Sequence, residues 1–274
     1  MTQAQEAIRP VRALARPRLL AVACIAVLAA AGWIYLGLML VGMSGLPVLD
    51  ALCRPSFGAS YPDAAQAGLL LAMWCAMALA MMLPTAGPMI LTYADIAETA
   101  AQKGETVASP LVLTAGYGVV WLAAAAALAA LQVLFARLSV LDPAMAPASP
   151  LFSGAAFIGA GLYQFSALKH ACVTQCQQPF PFFLANWTAA PRGVFRLGLR
   201  QGLYCLGCCW AMMLLMFAVG VMNVIWMAVL GIVMTIEKLN TTTRFSRALG
   251  AVLILVGAGF IVSAVAAHWP RAGG

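Results

Sequence analysis

The sequence predicts an all-α fold, a polytopic membrane helical bundle of about seven transmembrane helices with its N-terminus on the cytoplasmic side. Three observations predict it. Of 274 residues, 64% are apolar and only 8% charged, with a mean hydropathy of +0.95, which leaves too little polar surface for a soluble domain. The apolar residues collect into runs near the roughly 20 residues needed to cross about 30 Å of hydrocarbon. Lysine and arginine fall unevenly between those runs, as the positive-inside rule requires.

The elements follow in order. Residues 1–18 form a basic N-terminus. The first span, 19–43, continues through Trp33 and Tyr35 to Met43, past the roughly 7–15 residues of a signal-peptide core, so it reads as a retained anchor. The second span, 65–92, carries Met73, Met77 and Met81 every four residues, then Met82 and Pro84. Because proline donates no hydrogen bond to the carbonyl of residue 80 and crowds that turn, the helix is expected to kink or open there. Spans at 110–136 and 151–168 come next, and then the longest polar connection, 169–201, with Pro179, Pro181 and Pro191. Within it Arg192, Arg196 and Arg200 are four apart, as on one face of a short interfacial helix. The apolar run 202–237 is too long for one span, and Gly220, Met222 and Asn223 offer its tight turn. It divides into spans at 202–220 and 222–237. The last span is 246–267, and 268–274 is a short tail. No internal repeat and no separate soluble domain is visible in the single transmembrane domain 19–267.

Charge supports this division. With seven spans, twelve basic residues lie on the N-terminal side: Arg9, Arg12, Arg16, Arg18, Lys103, Lys169, Arg192, Arg196, Arg200, Lys238, Arg244 and Arg247. Only Arg54, Arg137 and Arg271 lie opposite. Fusing 202–237 into one span would put Lys238, Arg244 and Arg247 on the wrong side. The net charge of +7 is then topology and contact with anionic membrane lipid, and calls for no nucleic acid.

Sulfur is the chemical signal. Five of the eight cysteines fall in two short segments, YQFSALKHACVTQC and GLYCLGCCWAMM. Cys172 and Cys176 are spaced i, i+4, so on a helix continuing past Lys169 they share a face. Cys205 and Cys209 share a face in the same way, with Cys208 beside it. Both groups lie at the cytoplasmic ends of their helices. Cys24 and Cys75 read as small packing residues, and Cys53, alone in an outer loop, supports no disulfide framework. In the fifth span Met212, Met213 and Met216 extend the cysteine face outward. Met81 and Met82 on one helix, and Met212 and Met213 on the other, both sit about ten residues, or roughly 15 Å, from the cytoplasmic ends.

Absences narrow the function. No carboxylate lies inside a span except Glu237, which with Lys238 marks the inner end of the sixth, there to pair with Lys238, Lys169 or lipid. That disfavours proton- or sodium-coupled transport. No phosphate-binding loop is present, which disfavours ATP-driven pumping by this chain. His170, close to Cys172, is an additional candidate ligand, whereas His170 and His268 fit no zinc-protease helix motif. The NWT triplet at 186–188 falls on the cytoplasmic side and is discounted as a glycosylation site. Thiolates with thioethers and few hard ligands match Cu(I), which accepts two or three sulfurs. Structural zinc, which wants a closed set of four Cys or His ligands, is the alternative metal.

The segments MWCAMALAMMLPT, YQFSALKHACVTQCQQP, GLYCLGCCWAMM and VMNVIWMAVLGIVMTIEK together resemble a bacterial family of predicted metal-binding integral membrane proteins. Some of its members are described as copper chaperones, one of them linked to copper supply for a tyrosinase-type oxidase. The resemblance covers roughly residues 65–240. It implies a multi-pass protein of the bacterial inner membrane, with Cys172, Cys176, Cys205, Cys208, Cys209, Met77, Met81 and Met82 as the metal-site residues. Gln177 stands where the family often has a basic residue.

The reading is a copper-handling protein, closer to a metallochaperone or transporter than to an enzyme, that takes Cu(I) at the thiols and passes it to the layer of Met81, Met82, Met212, Met213 and Met216. An accessory protein or cuproenzyme then receives it. The rival from another class is a membrane thiol-disulfide oxidoreductase using Cys205 with Cys208 and Cys172 with Cys176. A static zinc knot ranks third. All three stand on spatial convergence of cysteines remote in sequence.

Overall fold

Hydropathy and capping residues together produce a bundle of helices. The computed structural model describes residues 17–42, 64–142, 146–221, 223–240 and 242–268. Among the described residues the regular elements are α1 (Pro17–Gly42), α2 (Ala64–Gln102), α3 (Pro110–Arg137), α4 (Pro150–Tyr163), α5 (Ala167–Gln177), α6 (Pro179–Ala185), α7 (Pro191–Val219), α8 (Val224–Leu239) and α9 (Thr243–His268). Serine followed by proline opens α3 and α4: Ser109 and Ser149 accept from the backbone N–H of Leu111 and Leu151, while proline loses nothing at a position whose N–H has no helical partner. Four helices, α2, α3, α7 and α9, are long and apolar enough to cross a membrane, and the bent pair α4 and α5 makes five if it counts as one span. The expected N-terminal arginines 9, 12 and 16, and with them Met43, Cys53, Arg54, Met222 and Arg271, lie outside the described residues.

The span at 110–136 matches α3, and the run 202–237 divides where a turn was expected: α7 stops at Val219, Gly220 takes a φ of +97°, and Asn223 caps α8 through the Trp226 N–H. A left-handed φ of that kind suits glycine alone among common residues. The span predicted at 65–92 instead continues to Gln102, because the segment after Thr92 is rich in helix-forming Ala, Glu and Gln; it ends at Gly104, whose φ is +80°.

Proline does not open α2. The helix runs through Pro84 and Pro88, and the carbonyl of Ala80, deprived of its usual partner by Pro84, accepts the indole N–H of Trp33 at 3.1 Å. A partner from α1 thus satisfies the group whose loss predicted a break.

The span predicted at 151–168 stops at Tyr163, and the chain bends by 66° into α5. Ser166 causes the restart, since its hydroxyl accepts from the Lys169 N–H at 3.1 Å as an N-cap. The connection 169–201 is also largely helical. It holds α5, α6 and the start of α7, and Arg192, Arg196 and Arg200 lie on the first turns of the 29-residue α7 and not on a separate interfacial helix.

Helix α7 and helix α2 form the interior. Of their most apolar windows 61% and 56% is buried, against 22% for α9. Helix α3 packs along α7 and α4 along α9. The α3–α7 contact is close enough that a Cβ on Gly116 would strike the Phe195 carbonyl, and one on Gly198 the Leu113 carbonyl. Small residues let helix backbones approach where hydrocarbon surroundings supply little other drive for association. This packing sets the first turns of α7, and the cysteines that follow, against α3 and α2.

Candidate metal centre

Helix α5 presents Cys172 and Cys176 on one face, and α7 presents Cys205, Cys208 and Cys209 within two turns. The two helices pack together. Cys176 comes within thiol hydrogen-bonding reach of Cys205 and Cys208, and Cys205 is likewise in reach of Cys208 and Cys209. Cys172 adjoins the group at Gly207, where a Cβ would lie 2.7 Å from its sulfur. Sulfurs about thirty residues apart in the chain therefore share one neighbourhood, as the sequence predicted.

Methionine joins from α2. The Cys209 thiol lies 3.8 Å from the Met82 sulfur, so a thioether borders the thiols directly. Met77, Met81, Met212, Met213 and Met216 are all buried. Of these, Met212 accepts the Gln164 side-chain N–H at 3.5 Å and Met81 packs beside Gly231. They lie in one apolar core with the cysteines, and the direct sulfur contact with a thiol among the described residues is that of Met82.

The thiols are held in a particular arrangement. Cys208 and Cys209 both donate to the Cys205 carbonyl, at 3.1 and 2.8 Å, and every described cysteine is free. In this arrangement no three Cys, His, Asp or Glu side chains among the described residues are disposed to hold one ion. With a thioether at the edge of the thiols, the donor set is a soft one.

Two residues that sequence reasoning did not select complete the centre. Lys238 of α8 places its Nζ 2.9 Å from the Cys205 sulfur and 2.8 Å from the Thr85 hydroxyl. Tyr117 of α3 lies 3.0 Å from the same sulfur, and its hydroxyl donates to the Met82 carbonyl at 3.2 Å. Thr85 also bonds the Met82 carbonyl, at 2.8 Å, so the ligand-bearing turn of α2 is held from two directions. A void of about 10 Å³ is lined by Cys176, Cys205, Lys238 and Tyr117 among others, at the lower limit for one small species. Gln201, which also lines it, is 2% exposed and its side-chain nitrogen has no hydrogen-bond partner. A charge in an apolar helix is a signal of function, and Lys238 carried that signal. Tyr117, an aromatic residue in an apolar helix, carried none.

Glu237, Lys238's neighbour, faces elsewhere because adjacent helix positions point about 100° apart. Its carboxylate pairs with Lys169 at 2.7 Å and accepts the Ser246 hydroxyl at 2.7 Å. Lys169 also donates to the Cys208 carbonyl at 2.8 Å. Of the partners expected for Glu237, Lys169 is the one observed. Gln177, where the family often has a basic residue, donates to the carbonyls of Glu237 and Asn240 at 3.0 and 2.7 Å.

The fold and the site define a class: a helical protein with four to five helices able to cross a membrane and a buried sulfur centre suited to a soft metal ion. A family model described as PpoB2, copper chaperone, matches residues 71–260, and the chain belongs to that family. The matched segment contains α5, α7, α8 and the Met82 turn of α2. No curated protein and no solved structure matches the chain.

Proposed function

We propose that this protein is a membrane copper-handling protein that binds Cu(I) at the thiols of Cys176, Cys205, Cys208 and Cys209, with Cys172 alongside, and passes it to a partner. The observation that carries this is the meeting of cysteines from α5 and α7 with the Met82 sulfur in a buried, carboxylate-free pocket. Membership of a copper chaperone family supports the cargo. Large apolar side chains exposed on the outer helices, such as Leu111, Leu122, Leu255 and Val262, support a lipid-facing surface. Seven spans, a cytoplasmic N-terminus and a bacterial inner membrane remain part of the proposal.

The chemistry follows from the arrangement of the thiols. Rotation of Cys208 or Cys209 about χ1 releases its S–H from the Cys205 carbonyl and turns the sulfur toward the other donors. A cuprous ion replaces the thiol protons and then moves by exchange, one sulfur attaching before another leaves. Residue Cys176 is partly exposed whereas Cys205, Cys208 and Cys209 are buried, and the exchange runs from α5 inward. Met82 leads from the thiols toward Met81, Met212, Met213 and Met216. Thioethers bind more weakly than thiolates, so onward transfer depends on an acceptor, an accessory protein or cuproenzyme whose own ligands complete the exchange.

Copper bound by the purified protein, with and without Cys205, Cys208 and Cys209 changed to serine, tests the reading. The substituted protein is expected to lose its copper. Unchanged stoichiometry would end the proposal.

A further inference from the structure

We propose that Gly207 is a positioning residue of the sulfur centre: having no side chain, it admits the Cys172 thiol against α7 and so adds that sulfur to the copper donors. This rests on the copper reading above and deepens it by giving a role to the glycine of the CLGCC segment.

Glycine weakens a helix interior relative to alanine, so its presence in the middle of the 29-residue α7 calls for a reason. At Gly198 and Gly202 the reason is helix packing, since a Cβ would strike the Leu113 carbonyl at the first and the Val120 side chain at the second. Gly207 differs. A Cβ there would lie 2.7 Å from the sulfur and 3.5 Å from the Cβ of Cys172, and among the described residues no other atom outside α7 comes within 4 Å of it. The space that this glycine leaves is taken by one buried thiol.

The surrounding helices are tied in place. Tyr163, the last residue of α4, donates to the Gly207 carbonyl and meets the Trp210 ring edge-on at 5.0 Å. Near the start of α5, Lys169 donates to the Cys208 carbonyl at 2.8 Å while paired with Glu237, and at its end Gln177 donates to the carbonyls of Glu237 and Asn240. With both ends of α5 fastened, the part of the contact that gives way is the thiol, which sits at the end of a single rotatable bond. A methyl group at position 207 is accommodated by turning Cys172 about χ1 to another staggered position, which carries its sulfur off α7 and leaves the helices where they are. Such a substitution removes a sulfur from the centre without removing it from the chain.

Cu(I) affinity is measured by competition with a chelator on the full chain in detergent under reducing conditions, and the sulfurs around the bound copper are counted by X-ray absorption. The chains compared are the wild type, Gly207→Ala, Cys172→Ser and the double variant. Gly207→Ala is expected to keep a thermal midpoint within about 4 °C of wild type and to lose affinity by about 10- to 100-fold, the range for residues that orient metal ligands. Cys172→Ser is expected to lose as much, because a hydroxyl is a poor ligand for a soft ion, and both variants to show one sulfur fewer at the metal. The double variant is expected to lose no more than either single one, since both changes act on one thiol. Wild-type affinity in Gly207→Ala beside a loss in Cys172→Ser overturns the proposal. Losses that multiply in the double variant, or a Gly207→Ala chain that fails to fold, overturn it as well, because the methyl then meets something other than a thiol that can turn. Wild-type affinity and sulfur count in Cys172→Ser also overturn it, yet leave standing the copper reading, which is judged on Cys205, Cys208 and Cys209. A wild type that binds no Cu(I) ends both.

Discussion

Lys169 and Lys238 are both buried, both reach a cysteine of α7, and differ in what balances them. Lys169 spans the Cys208 carbonyl and the Glu237 carboxylate, whereas Lys238 spans the Cys205 sulfur and the Thr85 hydroxyl. One is closed, the other open. Around Lys169 every charge has its opposite and Ser246 and Gln177 fill further positions, so that region works as a clasp joining α5, α7, α8 and α9. Around Lys238 no carboxylate lies in ion-pairing range among the described residues, and its neighbours are the Cys205 sulfur and the Thr85 hydroxyl. The difference teaches that two buried lysines of one protein can be held by different means, one by a carboxylate and the other by a sulfur and a hydroxyl.

The sharpest way to break the comparison is Glu237→Gln. It strands the Lys169 ammonium in the interior, and loss of about 3–5 kcal/mol is expected, read as a marked drop in the thermal midpoint of the detergent-solubilised protein. Combining it with Lys169→Met removes the stranded charge, and most of that loss is expected to return. A double variant no more stable than Glu237→Gln alone would mean that the pair is not the clasp.

Lys238→Met is the contrasting case. Removing a buried cation that lacks a carboxylate is expected to leave stability within about 1 kcal/mol of wild type or to raise it, in the same thermal measurement. A loss as large as that of Glu237→Gln would erase the distinction between the two lysines. Smaller effects sharpen it further. Ser246→Ala takes one hydrogen bond from the clasp, with an expected cost of about 1 kcal/mol and copper affinity unchanged by competition titration. Tyr117→Phe, which removes the hydroxyl beside Cys205, is expected to weaken Cu(I) binding several-fold, the equivalent of about 1 kcal/mol.

Legibility in the sequence followed the range of the physical signal. Apolar runs identified α3 closely and α8 and α9 to within a few residues, because hydropathy is a property of a contiguous segment. The turn at Gly220 was visible because a left-handed backbone calls for glycine. The break after Tyr163 was hidden in an apolar run and marked only by Ser166, a residue as ordinary in a helix as at its cap. The expected opening at Pro84 did not occur because Trp33, more than fifty positions earlier, supplies the missing donor. For the candidate centre, spacing placed Cys172 with Cys176 and Cys205 with Cys209, and depth along the helices pointed toward Met82. Lys238 was noticed as a charge at a span's end, and its partner was not foreseeable from the pattern.

The amino-acid order alone therefore determined a helical protein with long apolar segments and five thiols gathered on two of them, since periodicity and hydropathy act over a few turns of one helix. Tertiary structure decided which sulfurs meet and which cation attends them: Tyr117 and Lys238 reach Cys205 across 88 and 33 positions, and Met82 reaches Cys209 across 127. Those contacts arise where helices pack, and a buried polar group takes the partner that packing brings within reach, however far apart the two lie along the chain.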